Sequence, residues 1–289
     1  MGQQRIETNV VYGMHGGLAL LMDIHHPVRP NGFGVLYVPG CAWHQPVSYG
    51  ASQLKDLNTG FELADRFNRL MVDPLLQGGY TVFIINHRAA PLFRYPAAVQ
   101  DAQRAVRYIR HHAKRFGVEP GRIGAAGYSS GGHLVAMLGL LDGAGDPSAM
   151  DAVERESAKV QCVIAGGTPS DLGDMGAAML APSVASFLGM LGMFAMPGSL
   201  EQRTIAEASP LMHVSRDAAA FFIFHGEKDE VMPVAHAERL AKQLREAEAP
   251  VELLVVPGGT HINIRPEGGP DFVPKMVGWL DRHLRDVQR

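Results

Sequence analysis

Residues 121–141 read GRIGAAGYSSGGHLVAMLGLL, in which an apolar run, a turn of glycines and serines and a second apolar run follow one another. The first run, RIGAAG, is typical of a strand that enters a tight turn, and GHLVAMLGLL is typical of a helix that leaves it. A side chain at the tip of such a strained turn needs glycine two residues before it and two residues after it. Ser129 has Gly127 and Gly131 at those positions, whereas the residue two before Ser130 is a tyrosine. The stretch therefore predicts Ser129 as a nucleophile; the alternative is an ordinary turn rich in glycine and serine.

Apolar runs alternate with amphipathic segments along the chain. In chain order the runs are LALLMDI, GVLYVPG, YTVFIINH, RIGAAGYS, VQCVIAGG, AFFIFHG and VELLVVPG. Most of the later runs are apolar on both faces, as strands in the middle of a parallel sheet are. The segment PAAVQDAQRAVRYIRHHAKRFG places on one helical face Ala98, Ala102, Ala105, Val106 and Ile109. The alternation predicts an α/β fold, with a mostly parallel central sheet and helices on both faces.

The composition limits the class of protein and of partner. With 289 residues, 46% of them hydrophobic, the chain can bury one substantial core, and we expect a single domain over residues 1–289. A net charge of -3 gives no field that attracts phosphate backbones, so nucleic acid is not an expected partner. Two cysteines, Cys41 and Cys162, are too few for a disulfide framework or a zinc site. The first residues lack the apolar region of a secretory signal, and we therefore expect a cytoplasmic protein.

Residues 175–200 contain no charged side chain and stand between two predicted core strands. The segment is long enough to span a bilayer, but Pro182, Pro197 and several glycines interrupt it, so we expect no membrane span. We expect instead a small apolar cap inserted at residues 169–207. Methionine adapts to varied apolar shapes, and the predicted substrate pocket is lined by Trp43, Tyr128, Phe187, Met190 and Phe194. The alternative is a cap that only packs on the body of the domain.

A serine hydroxyl is a weak nucleophile at neutral pH and needs a base that removes its proton during attack. In an architecture of this kind the acid and the base follow the serine in the order Asp or Glu, then His. Asp229 follows the strand AFFIFHG and is the predicted acid, while Glu227 and Glu230 fit a solvated acidic cluster. His225 precedes the acid and suits a hydrogen bond in the core. His261 follows the last strand, at the edge where active sites of parallel sheets collect, and is the predicted base.

The attacked carbonyl develops negative charge, which backbone N–H groups must stabilise. One predicted donor is the amide of Ser130, so that Ser130 acts through its backbone rather than its hydroxyl. The other donors are expected in the loop VLYVPGCAWHQP, where the small residues Cys41 and Ala42 let the backbone approach. Only His44 is basic next to Cys41 in the sequence, so we assign Cys41 a useful amide rather than a reactive thiol. The predicted oxyanion hole consists of the amides of Cys41, Ala42 and Ser130.

These motifs together resemble the α/β-hydrolase superfamily over nearly the whole chain. PGCAW stands where the family shows an HGGGW-like loop, and NHRAAPLFRYPAAVQDAQRAVRYI where it shows a YRLAP…FPAAVxD-like stretch; GYSSGGHLVA, ASPLMHVS, FHGEKDEVMP and GGTHINI complete the set. The resemblance is to the esterase branch that contains hormone-sensitive-lipase-like carboxylesterases and the bacterial feruloyl and acetylxylan esterases. Pro39 departs from the pattern, because it replaces the first histidine of the oxyanion loop and lacks an N–H group. We expect His44 or Trp43 either to compensate or simply to flank the pocket.

The resemblance implies a serine esterase that forms an acyl-enzyme. Ser129 would attack an ester carbonyl, His261 would take its proton and Asp229 would hold the imidazole. No metal and no organic cofactor is implied. The apolar cap favours as substrate a small-molecule ester with a short to medium acyl chain or an aromatic group. The sequence does not determine whether the protein forms a homo-oligomer. Two alternatives remain, an amide hydrolase similar to an arylformamidase and a non-catalytic binding protein on the same fold.

Overall fold

The computed structural model describes residues 5–44, 55–57, 62–174, 181–192 and 195–285 of the chain. Its strands are β1 Arg5–His15, β2 Leu18–His26, β3 Gly34–Val38, β4 Thr81–Ile85, β5 Ile123–Tyr128, β6 Cys162–Gly166, β7 Ala220–Gly226 and β8 Val251–Val256. Its helices are α1 Glu62–Gln77, α2 Ala97–His111, α3 Ala113–Phe116, α4 Ser130–Leu140, α5 Ala181–Leu188, α6 Leu200–Ala208, α7 Ala235–Glu246 and α8 Val273–Leu280.

The strands form one sheet in the order β1-β2-β4-β3-β5-β6-β7-β8. β2 runs antiparallel to β1 and to β4, and all neighbours from β4 to β8 are parallel. The predicted mostly parallel sheet is therefore confirmed. Strands β3 to β7 are buried at every residue, which explains why their sequences are almost entirely apolar. Because parallel strands end at the same edge of a sheet, the loops after β3, β5, β7 and β8 meet there.

β1 is a strand that the sequence did not predict. It lies at the edge of the sheet and most of its residues are half-buried or exposed. Its pairing with β2 shifts register between Glu7 and Val10 and again between Val11 and Gly13. Each bulge breaks the alternation of apolar and polar residues by which a half-buried strand is found.

Helices cover both faces of the sheet, as predicted. On one face α2, α4 and α7 bury side chains such as Val106, Met137 and Leu240. On the other face α1 and α8 bury side chains such as Met71 and Leu280. All five residues of the predicted apolar face of α2 are buried, which confirms that helix. The turn at Ser129 thus leads into a helix, α4, that is buried on the first of these faces.

The chain between β6 and β7 contains α5 and α6. Helix α5 buries Val184, Phe187 and Leu188 and ends there, because Gly189 has a φ of +76° that leaves the helical conformation. Of the predicted cap, residues 175–180 and 193–194 lie outside the described residues. Within the described parts of the chain, no helix combines the length and the apolar character needed to cross a membrane.

Candidate active site

Ser129 stands between the end of β5 and the start of α4. Its backbone has φ 54° and ψ -125°, a conformation that is strained for any residue other than glycine. The flanking glycines are required by space. A Cβ at Gly127 would stand 2.5 Å from the carbonyl of Gly131, and a Cβ at Gly131 would overlap the carbonyl oxygen of Val38. The glycine spacing seen in the sequence therefore reflects close backbone approach on both sides of Ser129.

His261 joins Ser129 to Asp229. Its Nε2 atom lies 3.0 Å from Oγ of Ser129, and its Nδ1 atom lies 2.7 Å from Oδ2 of Asp229. Because an ionised carboxylate only accepts hydrogen bonds, Nδ1 carries the ring proton and donates it to Asp229. Nε2 is then free to accept the hydroxyl proton of Ser129. The structure brings these three predicted residues, which follow three different strands, into one hydrogen-bonded chain.

The carboxylate of Asp229 is buried and accepts hydrogen bonds at both oxygens. Oδ1 accepts the amides of Val231 at 3.0 Å and Met232 at 2.7 Å, and Oδ2 accepts from His261. Burial by itself raises the pKa of Asp229, but hydrogen bonds from His225, His261 and Met232 outweigh it and hold that pKa far below its ordinary value. Asp229 is therefore an anion at neutral pH, as a residue that orients an imidazole must be.

Tyr128 supports His261 rather than lining an open pocket. Its hydroxyl donates a hydrogen bond of 2.8 Å to the carbonyl oxygen of His261, and the two rings are 5.0 Å apart. The Tyr128 ring is also packed between Phe67 and Phe224 and is nearly inaccessible to solvent. This corrects the expectation that Tyr128 forms a wall of the substrate pocket, since its position holds the loop that carries the imidazole.

The loop after β3 lies directly against Ser129. A Cβ at Gly40 would stand 2.7 Å from the carbonyl oxygen of Tyr128 and 3.2 Å from Cβ of Ser129. Ala42 has a φ of 52°, which is rare for a residue with a side chain. Within the described residues, the amides of Ala42 and Ser130 have no hydrogen-bond acceptor. Their assignment to an oxyanion hole stays a prediction.

Cys41 differs from the prediction. Its amide donates a hydrogen bond of 2.9 Å to Oγ of Ser130, so it is already satisfied within the protein. Burial raises the pKa of the Cys41 thiol to about 12, against smaller opposing effects of hydrogen bonds from Ser130, Trp43 and His44. The thiol is therefore protonated at neutral pH. Of the three amides expected in the oxyanion hole, that of Cys41 therefore already has an acceptor within the protein.

Trp43 and His44 make hydrogen bonds on either side of the loop that follows Pro39. The Trp43 indole donates a hydrogen bond of 3.1 Å to Nδ1 of His133, and burial lowers the pKa of His133 to about 4, which keeps that ring neutral and able to accept. His44 donates from Nδ1 to the carbonyl oxygen of Ala42 at 2.6 Å, and its Nε2 accepts from Ser186 at 3.0 Å. These bonds hold Ala42 and Trp43 in their positive-φ conformations.

The expectation that Trp43 and Phe187 line a substrate pocket is wrong. The two rings stack at 4.8 Å with an interplanar angle of 14°, and both are almost fully inaccessible to solvent. They instead fix α5 against the loop after β3. Met190 does line a cleft of about 520 Å³, whose other walls include Pro91, Arg94, Pro182 and Ser186. Phe194 lies outside the described residues.

Sequence reasoning missed several residues around the site. His225 contacts Asp229, and its place four residues before Asp229 at the end of β7 was a usable signal, although we predicted only a core hydrogen bond. Ser186, His87 and the hydroxyl of Ser130 carried no signal of their own. Each of them meets a partner that is far away in sequence, as the separation of 142 positions between His44 and Ser186 illustrates.

The chain matches one family model and several curated proteins. A family model described as BD-FAE matches residues 22–244. The chain is similar to esterase LipC of Mycobacterium tuberculosis, with 28% identity over 251 residues that cover 84% of this chain and 57% of LipC. It is also similar to the probable carboxylic ester hydrolase LipM of that organism, with 28% identity over 66% of this chain and 44% of LipM. The chain thus spans about half the length of these curated relatives.

Among solved structures, a truncated carbohydrate esterase from gut microbiota resembles the chain with a TM-score of 0.78 and 24% sequence identity. The alignment covers 96% of each chain. A likeness at this identity concerns the architecture alone. Together with the sheet order and the turn at Ser129, it confirms the predicted α/β-hydrolase fold.

Proposed function

The chain belongs to the BD-FAE family, and from this membership we propose that it hydrolyses carboxylic esters, with Ser129 as nucleophile, His261 as base and Asp229 as orienting acid. One observation carries the proposal, the continuous hydrogen-bonded chain from Oγ of Ser129 through His261 to Oδ2 of Asp229. Two curated relatives, LipC and LipM, are named an esterase and a probable carboxylic ester hydrolase, which supports the same class of reaction.

The first half of the reaction makes an acyl-enzyme. Oγ of Ser129 attacks the ester carbonyl carbon while Nε2 of His261 takes the hydroxyl proton. The imidazolium that forms is stabilised by the anionic Asp229, which keeps its charge because its pKa lies far below neutral pH. When the tetrahedral intermediate collapses, the bond to the alcohol oxygen breaks and His261 returns the proton to the leaving alcohol.

The second half repeats these steps with water. His261 removes a proton from the water as its oxygen attacks the acyl carbon, and the proton then passes to Oγ of Ser129 as the carboxylic acid departs. In both halves the amides of Ala42 and Ser130 donate to the oxyanion. Donors of this kind act strongly because they are positioned before charge develops.

For the substrate we propose an ester with a short to medium acyl chain or an aromatic group. The cleft lined by Met190 supports this assignment, because most of its wall is apolar. One of its residues, Ser186, is joined through His44 to the carbonyl oxygen of Ala42, so the cleft adjoins the oxyanion loop. We further propose that residues 169–207 act as a cap on a single domain of residues 1–289.

The test combines covalent labelling with hydrolysis. A fluorophosphonate should label Ser129, as located by mass spectrometry, and Ser129→Ala should abolish both the adduct and the hydrolysis of p-nitrophenyl esters from acetate to palmitate. Ser148→Ala is the matched control, because Ser148 is exposed and, in the part of the chain that the structure describes, hydrogen-bonds to Asp146 alone. Hydrolysis that survives in Ser129→Ala would overturn the proposal. A faster reaction on an N-formyl aromatic amine than on a matched short ester would overturn the assignment to esters.

A further inference from the structure

The side chain of Ser130 holds the loop opposite the nucleophile. Its Oγ accepts the amide of Cys41 at 2.9 Å, and its hydroxyl points toward Sγ of Cys41 at 3.9 Å. Ser130 is fully inaccessible to solvent. A buried hydroxyl with two such contacts has a specific structural partner rather than a solvent-facing role.

The contact extends to the segment that follows β4. Sγ of Cys41 lies 3.8 Å from Nε2 of His87, and Nδ1 of His87 lies 3.0 Å from the carbonyl oxygen of Arg88. Because a carbonyl only accepts, Nδ1 of His87 carries the proton and Nε2 is left to accept from the Cys41 thiol. Burial lowers the pKa of His87 and so favours this neutral form. Ser130, Cys41 and His87 therefore tie the nucleophile helix, the oxyanion loop and the loop after β4 together.

Ser130 contributes to the site twice. Its amide is one of the two free donors, and its hydroxyl anchors Cys41, which immediately precedes the other donor, Ala42. The amide of Cys41 could join an oxyanion only by giving up its bond to Ser130. The hole is therefore built from two amides, and the distance between them depends on the hydroxyl of one residue.

We propose that Ser130 is a positioning residue whose hydroxyl sets the placement of the Ala42 amide relative to Ser129, an inference that rests on the proposed ester hydrolysis. Pro39 has no N–H group with which to support this loop, and the hydroxyl of Ser130 supplies part of that support through its bond to Cys41. Because oxyanion donors act only in the transition state, the loss of this anchor lowers kcat and leaves KM nearly unchanged.

The test compares Ser130→Ala with Ser209→Ala. Ser209 is an internal match, because it is buried and its Oγ likewise accepts a backbone amide, that of Leu172, at 2.9 Å. In Ser130→Ala we expect kcat to fall by about tenfold to a hundredfold. This fall is at most as large as the one that follows removal of a complete oxyanion donor. Amide hydrogen exchange should quicken at Cys41. In Ser209→Ala exchange should quicken at Leu172 while kcat stays at the wild-type value.

A second pair of variants covers the case in which Ser130→Ala fails to fold. Ser130→Thr keeps the hydroxyl, and Ser130→Val has nearly the same shape without it, so kcat should be higher in the threonine variant by about tenfold. Equal kcat in the two would overturn the proposal. A kcat of Ser130→Ala equal to or above that of the wild type would also overturn it, because the hydroxyl would then have no effect on turnover or would slow it. A wild type that hydrolyses no ester would instead overturn the proposed function itself, and this inference with it.

Discussion

Nε2 of His225 lies 3.3 Å from Oδ2 of Asp229, the same oxygen that accepts the Nδ1 proton of His261. Nε2 of His225 is also 2.8 Å from the carbonyl oxygen of Met232. Both neighbours are acceptors, so Nε2 carries the proton and points it at the carboxylate and the carbonyl together. The side chain is fully buried. Two imidazoles therefore hold Asp229 from two directions.

Replacing His225 by phenylalanine should lower both stability and turnover. The change removes one donor to Asp229 and leaves the Met232 carbonyl unpaired, which we expect to lower the free energy of unfolding by about 1–3 kcal/mol. The carboxylate is then held less firmly, and kcat should fall by about tenfold with little change in KM. Urea denaturation and steady-state kinetics on one p-nitrophenyl ester measure the two effects.

His236→Phe is the matched control for this change. His236 is also buried, but its Nδ1 accepts the amide of Ser170, and among the described residues it makes no hydrogen bond to Asp229. Its replacement should destabilise the protein without changing the kcat of the folded fraction. If both variants lost the same share of kcat, the contact between His225 and Asp229 would have no part in turnover.

The stability contributed by Asp229 should depend on pH. Its folded pKa lies below the ordinary value, so its contribution is complete above the unfolded pKa of about 4 and is lost as the pH falls toward the folded value. Asp229→Asn should lower the free energy of unfolding by about 1–3 kcal/mol at pH 7, and the difference from wild type should shrink at pH 3. Urea denaturation at both pH values measures it, with the exposed Asp217→Asn as control. A difference that is the same at both values contradicts the prediction.

Alanine at Gly131 should disrupt the nucleophile turn. Its Cβ would overlap the carbonyl oxygen of Val38, a backbone atom of a buried strand that has no room to move. We expect the free energy of unfolding to fall by about 3 kcal/mol or more. Gly278→Ala should instead raise it by about 0.5–1 kcal/mol, because that helical position faces open space. Thermal and urea unfolding compare the two, and changes of the same sign would contradict the steric argument.

Filling the cleft beside α5 should change the preference for acyl length. Met190→Trp puts a larger ring into the cleft of about 520 Å³, and we expect kcat/KM for an octanoate ester to fall by about tenfold relative to acetate. Met212→Trp serves as control, because Met212 is exposed and lies outside the residues that line this cleft. An unchanged ratio of the two rates would place the acyl chain elsewhere.

Much of the architecture was predictable because it depends on local patterns. Parallel strands such as β6 are apolar at every position, and α2 has a single apolar face, so both can be recognised in the sequence without knowledge of their neighbours. The resemblance to α/β-hydrolase esterases, found from short motifs, is confirmed by the family match over residues 22–244. β1 escaped prediction because two bulges interrupt its periodicity. Trp43 and Phe187 were wrongly assigned to the substrate pocket, because the sequence does not show whether an aromatic residue near a site lines a pocket or packs in the core.

The sequence by itself determined the position of the strained turn, because the glycines two residues before and two residues after Ser129 can be read directly from the chain, and a turn of this kind requires them. It also placed Asp229 and His261 on loops at one edge of the sheet, since strands of one direction end together. Only the tertiary structure decided how those loops are held. The bond between Cys41 and Ser130 spans 89 positions and that between Trp43 and His133 spans 90, and each depends on the packing of α4 and α5 against the oxyanion loop. The sequence does not show which distant group a side-chain hydroxyl or indole will bind, because only folding brings the two within hydrogen-bonding distance.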